Sequence, residues 1–134
     1  MSSSASAEEL KKEAQERAAK LRESLEDLPP AGGPPGSARS AAGLAREHGS
    51  AMAQRLERLM LKDSVESGRN ARSLLDEAKK KSAESPESNP PDDAALDQAG
   101  REIAEQLAWA EQALAKLRQK AEERARDALR NSAR

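Results

Sequence analysis

The single histidine is the first residue whose chemistry could matter. His48 lies in the segment REHGS, and the chain has neither a second histidine nor a cysteine. A metal site or a proton relay built on His48 would need partners that the sequence does not mark. We therefore expect His48 to lie on a helix surface or in a helix interface, and we expect no metal and no other cofactor.

Carboxylates are numerous, but their spacing is typical of solvent-exposed helix faces. Three glutamates stand four positions before a basic residue, as Glu8–Lys12, Glu13–Arg17 and Glu16–Lys20. Each such pair stabilises a helix by about 0.2–0.5 kcal/mol. A glycosidase-like pair of carboxylates would also need a sugar-binding cleft, and Trp109 is the one aromatic residue available to build it.

The segment PPAGGPPG, residues 29–36, is rich in glycine and could be taken for a phosphate loop. It lacks the Gly-Lys-Ser/Thr sequence of such loops, and no apolar strand precedes it. Its prolines lack an amide donor and clash with a preceding helical turn, whereas its glycines loosen the backbone. We interpret residues 29–36 as a linker, and with no catalytic pattern left we predict that the protein is not an enzyme.

The end of the chain is basic. Residues 116–134 contain 7 basic and 3 acidic residues, a local excess that could contact phosphates. However, Glu122, Glu123 and Asp127 weaken the positive field, and no aromatic side chain in this segment could stack on a base. We therefore expect a solvated helix end and not a nucleic-acid-binding site.

The composition predicts an all-α protein. Charge is balanced, with 23 basic and 24 acidic residues among 134, and about half of the chain is Ala, Glu, Lys, Leu and Arg, which favours long helices. Large apolar residues number only 21, namely 15 Leu, 3 Met, 1 Ile, 1 Val and 1 Trp. Such a small apolar set favours an elongated assembly, self-association or folding onto a partner over a compact monomer.

The first helix is expected over residues 6–28, after a flexible N-terminus at residues 1–5. Ser6 and Glu9 have the spacing of a capping box, in which each side chain binds the other residue's backbone amide. Apolar residues then recur every three or four positions, so that they form one stripe: Ala7, Leu10, Ala14, Ala18, Leu21, Leu25 and Leu28. We predict an N-terminal amphipathic helix.

A second helix is expected over residues 38–82, and it is the weakest of the three. Gly43, Gly49 and Gly68 each cost about 1 kcal/mol relative to alanine within a helix. Near Lys62 the sequence allows a break, with Asp63 and Glu66 as a new capping box. Alternatively, small residues let another helix approach closely there: Ser64, Ser67, Gly68 and Ala71. Both interpretations stay open.

The third helix is expected over residues 92–131, capped by the segment NPPDD. Its apolar stripe is largely heptad, and three lysines at the end of the second helix would lie beside its acidic start in an antiparallel arrangement. We therefore predict three helices in total, with residues 37–134 forming a long antiparallel, coiled-coil-like hairpin. Its seam would consist of Leu56, Leu59, Ile103, Leu107, Leu114 and Leu117.

Trp109 lies outside that seam. At 100° per residue it stands about 120° away from Ile103, beside Gln106 and Ala113. We expect this half-polar flank to be covered by the first helix, by another subunit or by a partner, unless the ring is simply exposed. The candidate interaction surface therefore comprises Trp109, Gln106, Ala113, Leu10, Leu21 and Leu25.

These expectations lead to one main functional hypothesis and two alternatives. The main hypothesis is a non-enzymatic interaction module, an oligomerisation, scaffold or adaptor protein whose partner is another protein or a second copy. The alternatives are an amphipathic protein that binds a lipid or granule surface, and a partly disordered helper that folds on a client protein. The sequence has no cleavable signal and no run of 18 apolar residues, so we expect a soluble cytoplasmic protein without a transmembrane segment.

Overall fold

A computed structural model of the chain describes residues 3–132, and the side chains of residues 7–132. These residues form four helices and no strand: α1 (Ser3–Leu25), α2 (Ala38–Glu57), α3 (Leu61–Glu84) and α4 (Asp93–Ser132). The all-α class is therefore confirmed. The expected number of three helices is wrong, because the segment expected to form one second helix folds into α2 and α3.

The break between α2 and α3 is a hydrogen-bonded turn. Leu59 adopts a left-handed backbone conformation with φ 58°. The amide of Met60 donates to the carbonyl oxygen of Arg55 at 2.8 Å, and the amide of Leu59 donates to that of Leu56 at 2.9 Å. This pair of bonds is a Schellman motif, which satisfies the last carbonyl groups of α2 and reverses the chain.

The predicted capping box at the break is absent. Met60 is the N-cap of α3, and its side chain makes no capping hydrogen bond. Asp63 lies in the first turn of α3, where its negative charge is stabilised by the helix dipole. The second interpretation of this region also describes the structure, because a Cβ added at Gly68 would lie 2.6 Å from Leu107 Cδ2. The break and the close approach thus occur together.

Local capping determines where α2 and α4 begin. Ser37 accepts a hydrogen bond from the amide of Ser40 at 3.0 Å, and α2 follows at once. Asp92 likewise accepts from the amide of Ala94, at 3.4 Å, before α4. The first helix differs from the expectation at its start, since α1 begins at Ser3 and the backbone of Ser6 is already helical. The side chain of Ser6 and the first two residues lie outside the described part of the chain.

The four helices alternate in direction. Leu25 of α1 packs on Gly49 of α2, so α1 and α2 run antiparallel across the linker. Lys79 near the end of α3 pairs with Asp97 near the start of α4, with Nζ 2.5 Å from Oδ1, as expected for antiparallel neighbours. The carboxylate of Glu87 accepts from the amide of residue 38 at 3.1 Å and joins the α3–α4 connection to the start of α2.

Each helix packs on its two neighbours in the order α1, α2, α3, α4 and back to α1, whereas α2 and α4 scarcely touch. The result is an up-down-up-down four-helix bundle with one core. The largest fully buried apolar side chains come from α1, α2, α4 and the first connection: Leu21, Leu28, Met52, Leu56, Leu96 and Ile103. Alanines fill most of the remaining core, so the helices lie close together.

The fourth helix is much longer than its neighbours. It has 40 residues, whereas the adjacent α3 has 24. All residues from 115 to 132 are exposed. At 1.5 Å per residue these 18 residues would extend about 27 Å. We call residues 115–132 the α4 extension.

Candidate interaction surface

The N-terminal helix covers the flank of α4 that carries Trp109. The guanidinium carbon of Arg17 lies 5.1 Å from the centroid of the Trp109 ring, within the range of a cation–π interaction. The ring is half-buried and packs against the edge of the core, as does Leu10. Of the three expected covers for this flank, the structure places α1 of the same chain there.

Gln106 is the one fully buried amide side chain among the described residues, and α1 supplies part of its hydrogen bonding. Its Oε1 accepts from Nη1 of Arg17 at 3.2 Å, and its Nε2 donates to Oε1 of Glu102 at 2.7 Å. A buried amide without partners would cost about 1–3 kcal/mol, so these bonds decide whether the position tolerates glutamine. Gln106 therefore requires α1 to be in place.

Ion pairs extend this polar contact along the two helices. Nζ of Lys20 lies 3.5 Å from a carboxylate oxygen of Glu105 and 3.8 Å from one of Glu102. Arg17 also pairs with Glu13 of its own helix at 3.3 Å. The α1–α4 contact is thus polar at its centre, whereas the α1–α2 contact is apolar. Because Lys20 and Glu105 are largely exposed, we assign these pairs a role in orientation and little stabilisation.

A small groove lies between α1 and α4, next to the tryptophan. Its volume is about 170 Å³, and four apolar residues and four polar ones line it: Leu10, Trp109, Ala113, Leu117, Glu13, Gln112, Lys116 and Lys120. Leu117 is 44% exposed at its edge. The groove opens where α4 leaves the bundle.

The structure thus brings together four of the six residues expected at the interaction surface. Trp109, Gln106, Ala113 and Leu10 all lie at the α1–α4 contact. Leu21 and Leu25 do not lie there, since they are 0% and 2% exposed within the core. Their side chains are buried because the apolar stripe of α1 faces the bundle interior, and only its polar edge reaches Trp109.

The expected seam is divided in the same way. Leu56, Ile103 and Leu107 are buried in the common core. Leu114 is half-buried against it. Two expectations require correction. Leu59 lies in the α2–α3 turn and not on a helix face, because α2 ends before it. Leu117 is exposed, because no second-helix residue is left to pack on α4 at that level.

Arg17 was missed as a partner of this surface. From sequence it was one of several i,i+4 ion-pair residues, and the structure adds Trp109 and Gln106 to its contacts. A signal was present, since Arg17 lies seven residues after Leu10 and therefore on nearly the same side of the helix. The sequence did not show which helix would lie opposite.

The α4 extension continues the buried stripe of α4 into solvent. The stripe runs without interruption from Ile103 and Leu107 in the core to exposed positions, which are Leu117, Ala121, Ala125, Ala128 and Leu129. Leu117 and Leu129 are 44% and 70% exposed. Helical spacing keeps these residues on one side, so the extension presents an amphipathic face that nothing within residues 3–132 covers.

The extension is also strongly charged. Residues 115–132 contain six basic residues and three acidic ones, whereas residues 1–114 contain 16 basic and 21 acidic residues. Within residues 3–132, none of the ion pairs involves a residue of the extension. The basic side chains are therefore available to a binding partner.

A second groove meets the base of the extension from the α3 side. Its volume is about 570 Å³. Val65 and Leu114 form its apolar part, and Lys62 and Arg118 are among the charged residues around it. Grooves thus lie on both sides of α4 where the extension begins.

Other chemistry is sparse in the described part of the chain. His48 is half-buried on α2. In the part of the chain that the structure describes, no three His, Cys, Asp or Glu side chains are grouped so that they could hold a metal ion. None of the helices within residues 3–132 is both long and apolar enough to cross a bilayer. Comparison with protein-family models, curated proteins and solved structures finds no significant match to this chain.

Proposed function

We propose that the protein is a non-enzymatic helical interaction module that binds another helix along the α4 extension. The observation that carries this proposal is the continuity of the α4 stripe, which is buried around Ile103 and exposed at Leu117 and Leu129. An isolated helix of this length is marginally stable in water, and most helical stability in proteins comes from packing of an apolar face. A docked helix would supply that packing.

The bundle beneath the extension acts as the rigid mount. Its core is shared by all four helices, and α1 fixes the flank of α4 just before the extension begins. A binding element that leaves a folded bundle has a defined direction and one anchored end. This arrangement suits an oligomerisation, scaffold or adaptor protein, and the cytoplasm stays its predicted location.

A helical peptide is the direct test of this proposal. We would use a designed amphipathic peptide of about 20 residues, with leucines on one side and uncharged glutamines elsewhere. Isothermal titration calorimetry would measure its binding to the full chain, and sedimentation equilibrium would measure self-association of the chain alone. We expect saturable peptide binding or a defined oligomer, either of which is lost in the variant Leu117→Gln/Leu129→Gln.

Leu44→Gln is the matched control for that test. Leu44 is 42% exposed on α2, close to the exposure of Leu117, but it lies away from the extension. This variant should bind and associate like the unmodified chain. If the chain neither binds the peptide nor associates, or if Leu44→Gln has the same effect as the double variant, the proposal is wrong.

Binding to a lipid or granule surface is the second candidate. It is favoured by the extension itself, a basic amphipathic helix with two exposed leucines. The stripe is half alanine, so each turn would bury little apolar area in a bilayer. A gain of helicity on adding anionic vesicles, with no binding of a helical peptide, would select this function.

A further inference from the structure

We infer that the helix that docks on the α4 extension is acidic along its flanks and belongs to another protein, not to a second copy of this chain. This inference rests on the proposed function and specifies its partner. It follows from the charges beside the exposed stripe and from the surfaces that a second copy could offer.

Basic side chains border the exposed stripe on both sides. At 100° per residue, Arg118 and Arg124 lie about 60° to either side of Ala121, and Lys120 lies about 100° away. A helix packed on Leu117 and Ala121 would place its flanking positions opposite these groups, as in a coiled coil. The one acidic residue at a comparable angle is Glu122. Glutamates on the flanks of the partner would therefore form favourable pairs, whereas lysines there would repel.

The base of the extension strengthens this preference. The groove beside Trp109 has Lys116 and Lys120 at its open side, and one acidic residue, Glu13, also lines it. On the other side of α4, Arg118 and Lys62 line the larger groove. An acidic helix that reached the base of the extension would meet positive charge on both sides and Leu117 between them.

A second copy is a poor occupant. Two extensions packed together would each bring six basic and three acidic residues, so that like charges would be concentrated at the contact. The rest of a second copy has a net negative charge, but its apolar stripes are already buried in its own bundle. Outside the extension, the exposed large apolar side chains within residues 7–132 are Leu44 and Met60, which do not form a stripe.

Two peptides that differ only in flank charge test the inference. Both have the leucine stripe of the uncharged peptide, and one has glutamates on its flanks whereas the other has lysines. Neither contains an aromatic residue, so Trp109 emission reports on the full chain alone. With the full chain at low salt, we expect the glutamate peptide to bind at least about tenfold more tightly than the uncharged one, and the lysine peptide more weakly than both.

Salt and substitution then identify the contacts. Raising the ionic strength from about 0.05 to 0.5 M should weaken binding of the glutamate peptide by about tenfold, because exposed charges are screened. The variant Arg118→Gln/Arg124→Gln should remove most of the preference for glutamate and keep the affinity for the uncharged peptide. Leu44→Gln should change neither, and circular dichroism should show the same helix content in every variant.

Each other outcome overturns the inference in a recognisable way. Equal affinity for all three peptides would contradict the acidic partner and leave the proposed function standing. Concentration-dependent dimerisation abolished by Leu117→Gln/Leu129→Gln would identify a second copy as the occupant. Gain of helicity on anionic vesicles without peptide binding would identify a membrane. Absence of all three effects would contradict the proposed function as well.

Discussion

Gly43 of α2 lies against the backbone of Pro30 in the linker, so closely that a Cβ on Gly43 would stand 2.6 Å from the carbonyl oxygen of Pro30. The same side of α2 holds the linker through Arg46, whose Nη1 donates to the carbonyl oxygen of Leu28 at 2.7 Å. Thus the segment that follows α1 is seated on α2, and a glycine makes this close approach sterically feasible.

Gly43→Ala should therefore destabilise the bundle. The new methyl group would push away backbone atoms and not a flexible side-chain end, and such overpacking costs about 1–3 kcal/mol. Gly100→Ala on α4 is the control, because its nearest neighbour would be Leu75 Cδ1 at an ordinary 3.9 Å. That substitution should stabilise by about 0.5–1 kcal/mol through helix propensity. Urea denaturation of both variants measures the difference, and equal effects would contradict the close approach.

The α2–α3 turn should favour glycine at position 59. Leu59 has φ 58°, a left-handed conformation that costs about 1–2 kcal/mol for a residue with a Cβ. Leu59→Gly and Leu59→Ala both remove the half-buried leucine side chain, so the difference between them isolates the backbone strain. We expect the glycine variant to be about 1 kcal/mol more stable than the alanine variant in thermal unfolding. An alanine variant of equal or greater stability would show that α2 continues through this position.

Gln106 should be far more sensitive to truncation than its neighbour Gln112. Gln106→Ala removes a fully buried amide and leaves Arg17 and Glu102 without their partner, at a cost of about 1–3 kcal/mol. Gln112 is an exposed glutamine of the same helix, and Gln112→Ala should change stability by less than about 0.5 kcal/mol. Chemical denaturation distinguishes them. Equal costs would mean that α1 does not pack on this flank.

Arg17 should control the environment of the only tryptophan. Arg17→Ala removes the guanidinium above the Trp109 ring, which exposes more of the indole to water and should shift its emission to longer wavelength. Arg22→Ala is the matched control on the same helix, because Arg22 pairs with Glu57 at 2.5 Å and not with Trp109. It should leave the emission maximum unchanged. An unchanged spectrum in Arg17→Ala would show that α1 does not cover the ring in solution.

The Lys79–Asp97 pair should give the bundle a pH dependence. The hydrogen bond from Lys79, and then its positive charge, lower the pKa of Asp97 below its ordinary value of 3.8. The hydrogen bond to Asp97, together with the negative charge of that carboxylate, raises the pKa of Lys79 above 10.5. Stabilisation by the pair is therefore present at neutral pH. It is lost in acid as Asp97 is protonated and in strong alkali as Lys79 loses its proton.

Asp97→Asn should accordingly lower stability near neutral pH and have no effect in acid below the pKa of Asp97. The cost should be small, because both side chains are exposed. Denaturation at a series of pH values measures it, and an NMR titration of Asp97 in Lys79→Gln should show its pKa rising towards the ordinary value. Glu123→Gln on the extension is the control, and it should leave the pH dependence unchanged. An Asp97 pKa that does not respond to Lys79→Gln would contradict this contact.

Features of the fold that depend on neighbouring residues could be predicted from the sequence. The all-α class follows from composition and from apolar spacing, both of which are local patterns. Ser37 and Asp92 satisfy the first free amides of α2 and α4 from within three residues, so the start of each helix is encoded next to it. The amphipathic face of α4, including its exposed part, is likewise a property of the chain order.

The tertiary structure decided everything that depends on which surfaces meet. Arg17 and Gln106 are 89 residues apart, and nothing near either residue indicates that they bind. The chain reverses at Leu59, although the sequence has no glycine there, because packing of α2 and α3 on a common core compensates for one strained residue. That reversal shortens the partner of α4 and leaves Leu117 uncovered. The binding face is therefore written in the sequence of α4, but its exposure is set by where α3 begins.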